Sequence, residues 1–327
     1  MKRKVFLLFS GGLDSVLAAL LLKRLGFEVV GVHLSCPFFE RNLKEVREVA
    51  EKIGIELKVI FVGDDYLEIV KNPPHGHGKN LNPCIDCKAY MLKKLKEAAG
   101  EEGIIATGEV LGQRPMSQRF DAFRKIEKIA GLEGKVLRPL SGKLLPPTVY
   151  EREGIIERNK LLDLKGRSRK EHPKLLESFG FNISDFPTPS GGCLLTEPSF
   201  TVKVKDLIEH GELNWRSVEL LKVGRHFRLG NCKLIVGRNK LENEILKEKA
   251  LADELTMAVP DYPSPIGLLT CKNPDRKIVE TAASIVARYS DAKNKEQVIV
   301  DIYKNGKLIE KVIVTPNFEC GKFMVKR

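Results

Sequence analysis

The segment VFLLFSGGLDS, from Val5 to Ser15, joins a continuous apolar run to a pair of glycines. A run of this length without polar interruption predicts a strand that is buried on both faces, as in the centre of a parallel sheet. From Leu13 onward, apolar residues recur at helical spacing until basic residues and Gly26 end the pattern, which predicts a helix. The segment is therefore expected to form a strand-to-helix turn.

Such a turn can bind phosphate, because the first backbone N–H groups of a helix are unpaired and the helix dipole favours negative charge. Gly11 and Gly12 allow a ligand to approach the main chain closely. Ser10 and Ser15 offer hydroxyls to phosphate oxygens, and Asp14 is the expected ligand of an accompanying Mg²⁺ ion. The segment is neither a Walker A loop nor a GxGxxG motif. It predicts a site for a nucleoside triphosphate with its metal.

Strand and helix patterns alternate after this turn. Buried strands are predicted at residues 28–34, 56–62 and 104–107, and helices at about 43–53 and 88–99. This alternation predicts an α/β fold with a doubly wound parallel sheet, in which ligands bind at the carboxyl ends of the strands. Four segments are expected to meet there: the Ser10–Ser15 turn, residues 33–36, the loop after Val62, and Thr107-Gly108-Glu109.

Composition sets the limits on partners and location. The 327 residues carry 55 Lys and Arg against 43 Asp and Glu, a net charge of +12, which favours a polyanionic partner. A lysine-rich solvated surface is the alternative. We expect a cytoplasmic protein of two domains, because the sequence shows neither a secretory leader nor an apolar run of membrane-spanning length.

The loop NPPHGHGKNLNPCIDC, from Asn72 to Cys87, predicts irregular chain up to Cys84, where a helix is expected to begin. Two thiols three residues apart at a helix N-terminus are expected to have lowered pKa values because of the helix dipole. Four interpretations stay open: a redox pair, a zinc site completed by His75 and His77, two ligands of an iron–sulfur cluster, or two unrelated buried cysteines.

A further cysteine favours some of these interpretations. Cys193 follows the loop Pro187–Gly192, whose glycines let the backbone approach other elements closely. If this loop folds back onto the crevice, Cys84, Cys87 and Cys193 form either a three-thiolate cradle for a 4Fe-4S cluster or a nucleophile with a resolving pair. Cys36 is expected to be a small buried side chain. Cys232, Cys271 and Cys320 are expected to be ordinary thiols in a reducing cytosol.

The stretch TGEVLGQRPMSQ, residues 107–118, is expected to close the nucleotide site. The amides of Gln113 and Gln118 can read a base, although both residues can equally cap the loop. A basic stripe follows, which is either a contact surface for RNA phosphates or a solvated helix face. Its members are Arg114, Arg119, Arg124, Lys125 and Lys128.

SGGLDS resembles the SGGxDS signature of the PP-loop ATP pyrophosphatases, which cleave ATP between the α and β phosphates. Together with TGEVLGQRPMSQ it resembles the 4-thiouridine synthetases, the tRNA sulfurtransferases called ThiI, over about residues 1–195. The resemblance implies ATP-binding roles for Phe9, Ser10, Gly11, Gly12, Asp14, Ser15, His33, Leu34, Lys88, Thr107, Gly108, Gln113 and Gln118.

NPCIDC and Gly-Gly-Cys193 are similar to the cysteine pattern of tRNA thiolation enzymes, including the 2-thiouridine synthetases and the cluster-dependent types. The resemblance implies ATP-dependent thiolation of a tRNA uridine, with 4-thiouridine expected ahead of 2-thiouridine. The catalytic residues implied are Asp14, Cys84, Cys87 and Cys193, and the cofactors are ATP, Mg²⁺ and a 4Fe-4S cluster. A sulfur donor is an implied partner, and a homodimer is one expectation. The rival functions are a small-molecule PP-loop synthetase and a non-catalytic RNA-binding protein.

The family's N-terminal RNA-binding region and rhodanese domain are not evident, because the chain starts at the PP-loop. From about residue 197 the strand–helix alternation stops, which predicts domains at 1–196 and 197–327, the second a smaller α+β domain. Strands are predicted in it at 200–207, 232–236, 298–303 and 308–314.

Two Val-Gly-Arg segments of this second domain resemble the RNA-binding domain of NFACT proteins. Phosphate contacts are expected from Arg225, His226, Arg228, Arg238 and Lys240, and Phe227 is expected to stack on a base.

Overall fold

The chain folds as two compact units, Met1–Glu197 and Pro198–Arg327. The computed structural model describes residues 3–39, 42–187 and 192–326. Among these residues, no helix combines the length and the apolar character needed to cross a bilayer.

The N-terminal unit contains a five-stranded sheet in the order β3-β2-β1-β4-β5, with every pairing parallel. This confirms the predicted doubly wound α/β fold. β1 lies between β2 and β4, and Leu8 pairs with Val32 on one side and Thr107 on the other. The strands are β1 Lys4–Leu8, β2 Glu28–Ser35, β3 Glu56–Phe61, β4 Ile104–Thr107 and β5 Val136–Leu137.

Helices cover this sheet. α1 begins directly after the double glycine, and α4 begins at Cys84 as predicted. The helix α2 has a local start signal, since the Asn42 side chain accepts a hydrogen bond from the backbone N–H of Glu45. The helices are α1 Leu13–Arg24, α2 Leu43–Lys52, α3 Asp64–Lys71, α4 Cys84–Ala99, α5 Phe120–Ala130, α6 Val149–Arg152 and α7 His172–Ser178.

The C-terminal unit contains a six-stranded antiparallel sheet in the order β11-β10-β8-β9-β7-β6, against which α11 packs. The predicted hairpin turn is present, because Asn305 and Gly306 both adopt positive φ between β10 and β11. Its elements are α8 Pro198–Glu209, α9 Trp215–Leu220, β6 Arg225–Leu229, β7 Cys232–Val236, α10 Lys240–Lys249, β8 Leu255–Ala258, β9 Gly267–Thr270, α11 Arg276–Arg288, β10 Val298–Lys304 and β11 Lys307–Val314.

The strand predicted at residues 200–207 is wrong, since these residues lie within helix α8. The β-branched valines favoured a strand, but Phe200, Val204 and Leu207 are buried at helical spacing on one face. Tertiary packing of that face overrides the local preference.

The expectation that Cys232 and Cys271 are free thiols is also wrong, because they form a disulfide with Cα atoms 5.0 Å apart. Their neighbours Lys233 and Thr270 are paired between β7 and β9, so the sheet brings the two thiols together. Cys320 is a buried free thiol, as predicted.

We expect the denatured, unreduced chain to titrate five thiols with a chromogenic disulfide reagent, and the reduced chain seven. The bridged cysteines are 39 residues apart, so Cys232→Ala/Cys271→Ala should lower the unfolding free energy of this unit by about 4 kcal/mol in the loop-entropy model. Cys320→Ala is the matched control and should leave the thiol difference at two. Titration of seven thiols without reductant contradicts the bridge.

Candidate nucleotide and thiol site

The double-glycine turn has the geometry of an anion site. Gly11 adopts a φ of 69°, and Gly12 caps α1 without a side-chain hydrogen bond. Ser15 Oγ donates to the Gly12 carbonyl at 2.8 Å, and the Gly12 N–H donates to Ser10 Oγ at 3.3 Å. The N-terminus of α1 therefore presents hydroxyls and backbone N–H groups to a ligand.

A cavity of about 320 Å³ opens at this turn. The loops that follow β1, β2 and β4 line it, together with the start of α4 and the segment around Cys193. Of the residues expected to bind ATP, all but Gly11 contribute to its wall: Phe9, Ser10, Gly12, Asp14, Ser15, His33, Leu34, Lys88, Thr107, Gly108, Gln113 and Gln118.

Gly108 lies against the backbone of the turn. A Cβ atom at this position falls 2.7 Å from the Asp14 carbonyl oxygen and 2.8 Å from the Ser15 Cα. Side chains do not fit at these distances, so the glycine is a requirement of the close contact between the β4 loop and α1.

Asp14 is held by three donors from distant parts of the chain. Its carboxylate accepts hydrogen bonds from His172 Nε2 at 2.7 Å, Gln113 Nε2 at 3.2 Å and Arg169 Nη2 at 3.4 Å. Burial disfavours the charged form, but His172 and Arg169 outweigh it and lower the pKa of Asp14. An ionised carboxylate has about four acceptor positions, so one remains for a metal ion.

Sequence reasoning missed His172 and Arg169. They lie more than 150 positions from Asp14, in a charged segment without a recognisable motif. Gln113 supports Asp14 in this structure. Gln118 is 5% exposed, and its carbonyl oxygen is buried without a hydrogen-bond partner among the described residues.

A buried chain of charges leads away from the cavity. Glu109 lies 3.4 Å from Lys88 Nζ and 3.3 Å from Arg138 Nε, and it accepts a hydrogen bond from Thr107 at 3.1 Å. Arg138 also pairs with Glu127 of α5. Burial favours the neutral acid, but Lys88 and Arg138 hold the pKa of Glu109 below its usual value. No motif in the sequence marks Arg138 as part of this site.

The three cysteines of the sequence prediction all line the cavity. Cys193 reaches it because the Leu194 N–H donates to the Phe38 carbonyl at 2.8 Å and Cys193 pairs with Phe39 as a β-bridge. Residues 188–191 of the predicted loop lie outside the described residues. Two sequence-distant segments therefore bring their thiols to the nucleotide cavity.

Each cysteine of the pair accepts a side-chain hydrogen bond. Asn82 Nδ2 donates to Cys84 Sγ at 3.1 Å, and the Tyr66 hydroxyl donates to Cys87 Sγ at 3.0 Å. The predicted low thiol pKa is wrong for Cys87, because burial raises its pKa to about 11. Burial likewise raises the pKa of Cys193 to about 12, and the neighbouring cysteines add to the rise.

The two loop histidines have partners outside the cysteine pair. His75 Nδ1 lies 2.6 Å from Asp86 Oδ1, and His77 Nε2 lies 2.8 Å from the Val70 carbonyl oxygen. Within the described residues, no three side chains of His, Cys, Asp or Glu form a group suited to one metal ion. These contacts do not support the zinc interpretation.

Comparison with known proteins identifies the family. Residues 1–164, half of the chain, match the family model described as thiamine biosynthesis protein (ThiI). The chain belongs to the ThiI family. Residues 224–322 match the model of the NFACT protein RNA binding domain.

Relatives of this ThiI-family chain include proteins named as tRNA-specific 2-thiouridylases. It is 38% identical over 140 residues to the tRNA-specific 2-thiouridylase MnmA of Methylobacillus flagellatus, covering 38% of this chain and 39% of that protein. It is 29% identical over 199 residues to MnmA 2 of Clostridium botulinum, covering 54% and 56%. The chain spans between about a third and just over half of the length of the curated relatives it matches.

Among solved structures, the chain is similar to a 4-thiouridine synthetase in complex with RNA and bound ATP. The identity is 24%, the TM-score is 0.35, and the match covers 57% of this chain and 50% of that one.

In the C-terminal unit of this ThiI-family protein, the sequence expectations for three residues fail. Phe227 has no exposed surface and His226 is buried, so neither is open to RNA. Arg228 forms paired hydrogen bonds with Asp206 and Glu212, at 2.7 to 2.9 Å. Its guanidinium is part of a structural ion network and is not free for phosphate.

The other basic residues expected in this unit have different settings. Arg238 pairs with Glu242 at 2.5 Å, and the Arg225 guanidinium lies 4.6 Å from the ring centre of Tyr289. Lys240 is exposed at the first position of α10. These three side chains remain candidates for RNA contact.

Gly108→Ala should destabilise the N-terminal unit by about 1–3 kcal/mol, because the new methyl group overlaps the α1 backbone. It should weaken ATP binding about tenfold or more, a loss of about 1.4 kcal/mol. Gly321→Ala is the control, since a Cβ there meets no atom within 4 Å. If calorimetry gives the two variants the same unfolding free energy and the same affinity for ATP, the packing role of Gly108 is contradicted.

Asp206→Asn should destabilise the C-terminal unit by about 3 kcal/mol at neutral pH, because it leaves the buried Lys233 without its carboxylate. Arg228 and Lys233 overcome the effect of burial and lower the pKa of Asp206 from 3.8 to about 2. The stabilisation is therefore present above pH 4 and is lost as the pH falls toward 2.

Denaturant unfolding from pH 7 to pH 2 checks this linkage. The difference in unfolding free energy between the wild type and Asp206→Asn should become smaller by about 2 kcal/mol between pH 4 and pH 2. Asp253→Asn, at an exposed position, is the control and should show no such narrowing. A difference that stays constant over this range rules out the assigned ion network.

Proposed function

We propose that this protein catalyses the ATP-dependent replacement of a uracil carbonyl oxygen by sulfur in tRNA, with 4-thiouridine as the product. One observation carries the proposal: Cys84, Cys87 and Cys193 line the same cavity as the double-glycine turn. A synthetase that only adenylates a small molecule has no use for three thiols beside its nucleotide. A protein that binds ATP only for structure has none either.

The nucleotide roles follow from the cavity. The backbone N–H groups at the start of α1 and the hydroxyls of Ser10 and Ser15 bind the phosphates. Asp14 retains one acceptor position for Mg²⁺, which commonly binds one or two carboxylates together with substrate phosphates. Gln118 offers an unpaired carbonyl oxygen to the adenine amino group or to the target base. His33 and Leu34 line the cavity, and we assign them to the adenosine part of ATP.

The first chemical step activates the uracil oxygen, which is a very poor leaving group. The oxygen attacks the α-phosphorus of ATP while the bond to the β-phosphate breaks, and pyrophosphate leaves. N3 of the uracil loses its proton, so the adenylated base is neutral. The protein contributes by holding ATP and base in line and by aiming the positive end of α1 at the phosphates.

The second step replaces the activated oxygen. A sulfur nucleophile attacks the adenylated carbon, the carbon–oxygen bond breaks, and AMP leaves with the former uracil oxygen. The raised pKa values of Cys87 and Cys193 show that these groups are neutral thiols at pH 7 unless a cation or a base acts on them. The site must therefore recruit a partner group to make sulfur reactive.

A 4Fe-4S cluster fits the residues present. Hydrogen bonds from Asn82 and Tyr66 to the two sulfurs are of the kind that support metal-bound thiolates. Each cysteine that holds a cluster binds a different iron atom. The three thiols therefore do not have to be close enough to bind one metal ion together. Cys84, Cys87 and Cys193 would hold the 4Fe-4S cluster, and the cluster would supply the activation of sulfide for the second step.

The alternative route is a persulfide on Cys193, whose outer sulfur would come from a donor that carries sulfane sulfur. After that sulfur has displaced AMP, the thiol of Cys84 or Cys87 would attack Cys193 Sγ, release the thiolated base and form a disulfide that an external thiol reduces.

The match of residues 224–322 to an RNA binding domain and the net charge of +12 support tRNA as the substrate. We assign contacts with RNA phosphates to cations of both units that are exposed or, for Arg225, half-buried: Arg114, Arg119, Arg124, Lys125, Lys128, Arg225, Arg238 and Lys240. A second candidate product is 2-thiouridine, which the similarity to the 2-thiouridylase MnmA favours.

Pyrophosphate release should require both ATP and tRNA, and the tRNA should gain sulfur when sulfide is supplied. Cys193→Ser should keep tRNA-dependent pyrophosphate release and lose thiolation, because only the second step needs sulfur. Cys320→Ser, a buried cysteine of the other unit, is the control and should keep both. Mass spectrometry of nucleosides measures thiolation and separates 4-thio from 2-thio products. Pyrophosphate release that needs a small amine instead of tRNA refutes the proposal.

Protein purified without oxygen should contain about four iron atoms per chain. Cys84→Ser should lose most of the iron and the visible absorption of the cluster, whereas Cys320→Ser should retain both. Iron-free protein that thiolates tRNA at the wild-type rate excludes the cluster and leaves the persulfide route.

A further inference from the structure

A second cavity lies in the N-terminal unit, between α5 and the chain from Glu133 to Arg152. Its volume is about 770 Å³, larger than that of the nucleotide cavity. In the part of the chain that the structure describes, the two cavities share no lining residue. The second cavity is thus separate from the cavity that we assign to ATP.

One wall of this cavity is a cationic face of α5. Phe120, Arg124 and Lys128 follow one another at intervals of four residues, so they lie along one side of the helix, with Lys125 beside them. Over the ranges 3–39, 42–187 and 192–326, none of the three cations takes part in an ion pair. Their charges are therefore available to a ligand.

The acidic residues of the lining do not cancel this charge. Glu127 pairs with Arg138, Glu151 pairs with Arg158, and Asp121 pairs with Arg119. Glu133 is the carboxylate left without such a pair among the described residues, against Arg124, Lys125, Lys128 and Arg152. The cavity is positive and suits a polyanion.

Apolar surface completes the cavity. Phe120 is 43% exposed on one wall, and Leu145, Pro146 and Pro147 form the other. A concave site that combines cations with exposed ring surface is typical of proteins that bind single-stranded nucleic acid, in which unpaired bases stack on side chains. Duplex RNA keeps its bases stacked inside the helix, so it cannot use such walls.

The cavity is joined to the nucleotide site by the buried charges. Arg138 lies in the cavity wall, stacked 3.9 Å from the ring centre of Phe123, and it pairs with both Glu127 and Glu109. Glu109 in turn pairs with Lys88 in the nucleotide cavity. We propose that this second cavity binds an unpaired stretch of the RNA substrate. This inference rests on the proposed function only in taking RNA as the substrate.

The experiment compares two double charge reversals in the full-length protein. Arg124→Glu/Lys128→Glu changes the cavity, and Lys44→Glu/Arg47→Glu makes the same change of charge on α2, where Lys44 is 87% exposed. The probes are a tRNA transcript, a single-stranded hexanucleotide and a blunt-ended RNA duplex, which is a paired stem without a loop, each fluorescently labelled. Circular dichroism checks that both variants are folded, and ATP binding should be equal in both.

The cavity variant should bind the hexanucleotide and the tRNA about tenfold more weakly than the α2 variant. The slope of its affinity against salt concentration should correspond to about two fewer phosphate contacts. The paired stem should bind both variants equally. Phe120→Ala should weaken hexanucleotide binding about fivefold or more, because a stacking surface is lost.

Two results overturn the inference: equal binding of tRNA and hexanucleotide by the two double variants, or an equal loss for single-stranded and paired RNA, which indicates a plain electrostatic surface. A wild-type protein that binds RNA through the cavity but never thiolates it supports the inference and removes the proposed function. If the wild-type protein thiolates tRNA while the cavity variant binds RNA normally, the proposed function is supported and the inference about the cavity is overturned.

Discussion

The contact between the bare backbone of Gly108 and the backbone of Asp14 and Ser15 is the constraint on which the candidate site depends. It follows from the pairing of β1 with β4, which ends both strands at the same edge of the sheet. Because the β4 loop can press against α1 without a side chain between them, the residues after Gly108 reach the phosphate-binding turn. This contact buries Glu109 and Gln118. It also places Glu109 where it pairs with Lys88, next to the cysteines.

The electrostatics of the site follow from burial combined with specific partners. Asp14 and Glu109 remain ionised despite burial because cationic and hydrogen-bonding groups surround them. For Cys87 and Cys193 burial outweighs the nearby donors and cations, so the pKa values of both thiols are raised. The same cavity therefore combines carboxylates with lowered pKa values and thiols with raised pKa values. This division suits an enzyme that must first activate a base with ATP and only then transfer sulfur.

Local patterns in the sequence were sufficient for much of the fold. The apolar run before Gly11 and Gly12 predicted β1 and the start of α1, and the alternation after it predicted the parallel sheet. Asn305 and Gly306 predicted a hairpin turn by their tolerance of positive φ.

Features that depend on contacts between distant segments were missed. His172 and Arg138 reach their partners only in the folded chain, the Cys232–Cys271 bridge needs two neighbouring strands, and α8 takes its form from the core it covers.

In the proposed reaction, a uracil oxygen attacks ATP at the α-phosphorus inside this thiol-lined cavity. Oxygen-18 placed at the 4-carbonyl of the target uridine tests this step, with mass analysis of the AMP formed during thiolation. We expect each AMP to carry one labelled oxygen for every sulfur introduced. Label that appears in AMP only when the 2-carbonyl is substituted changes the product to 2-thiouridine, whereas thiolation that yields unlabelled AMP from both substrates rules out attack of a uracil oxygen on ATP.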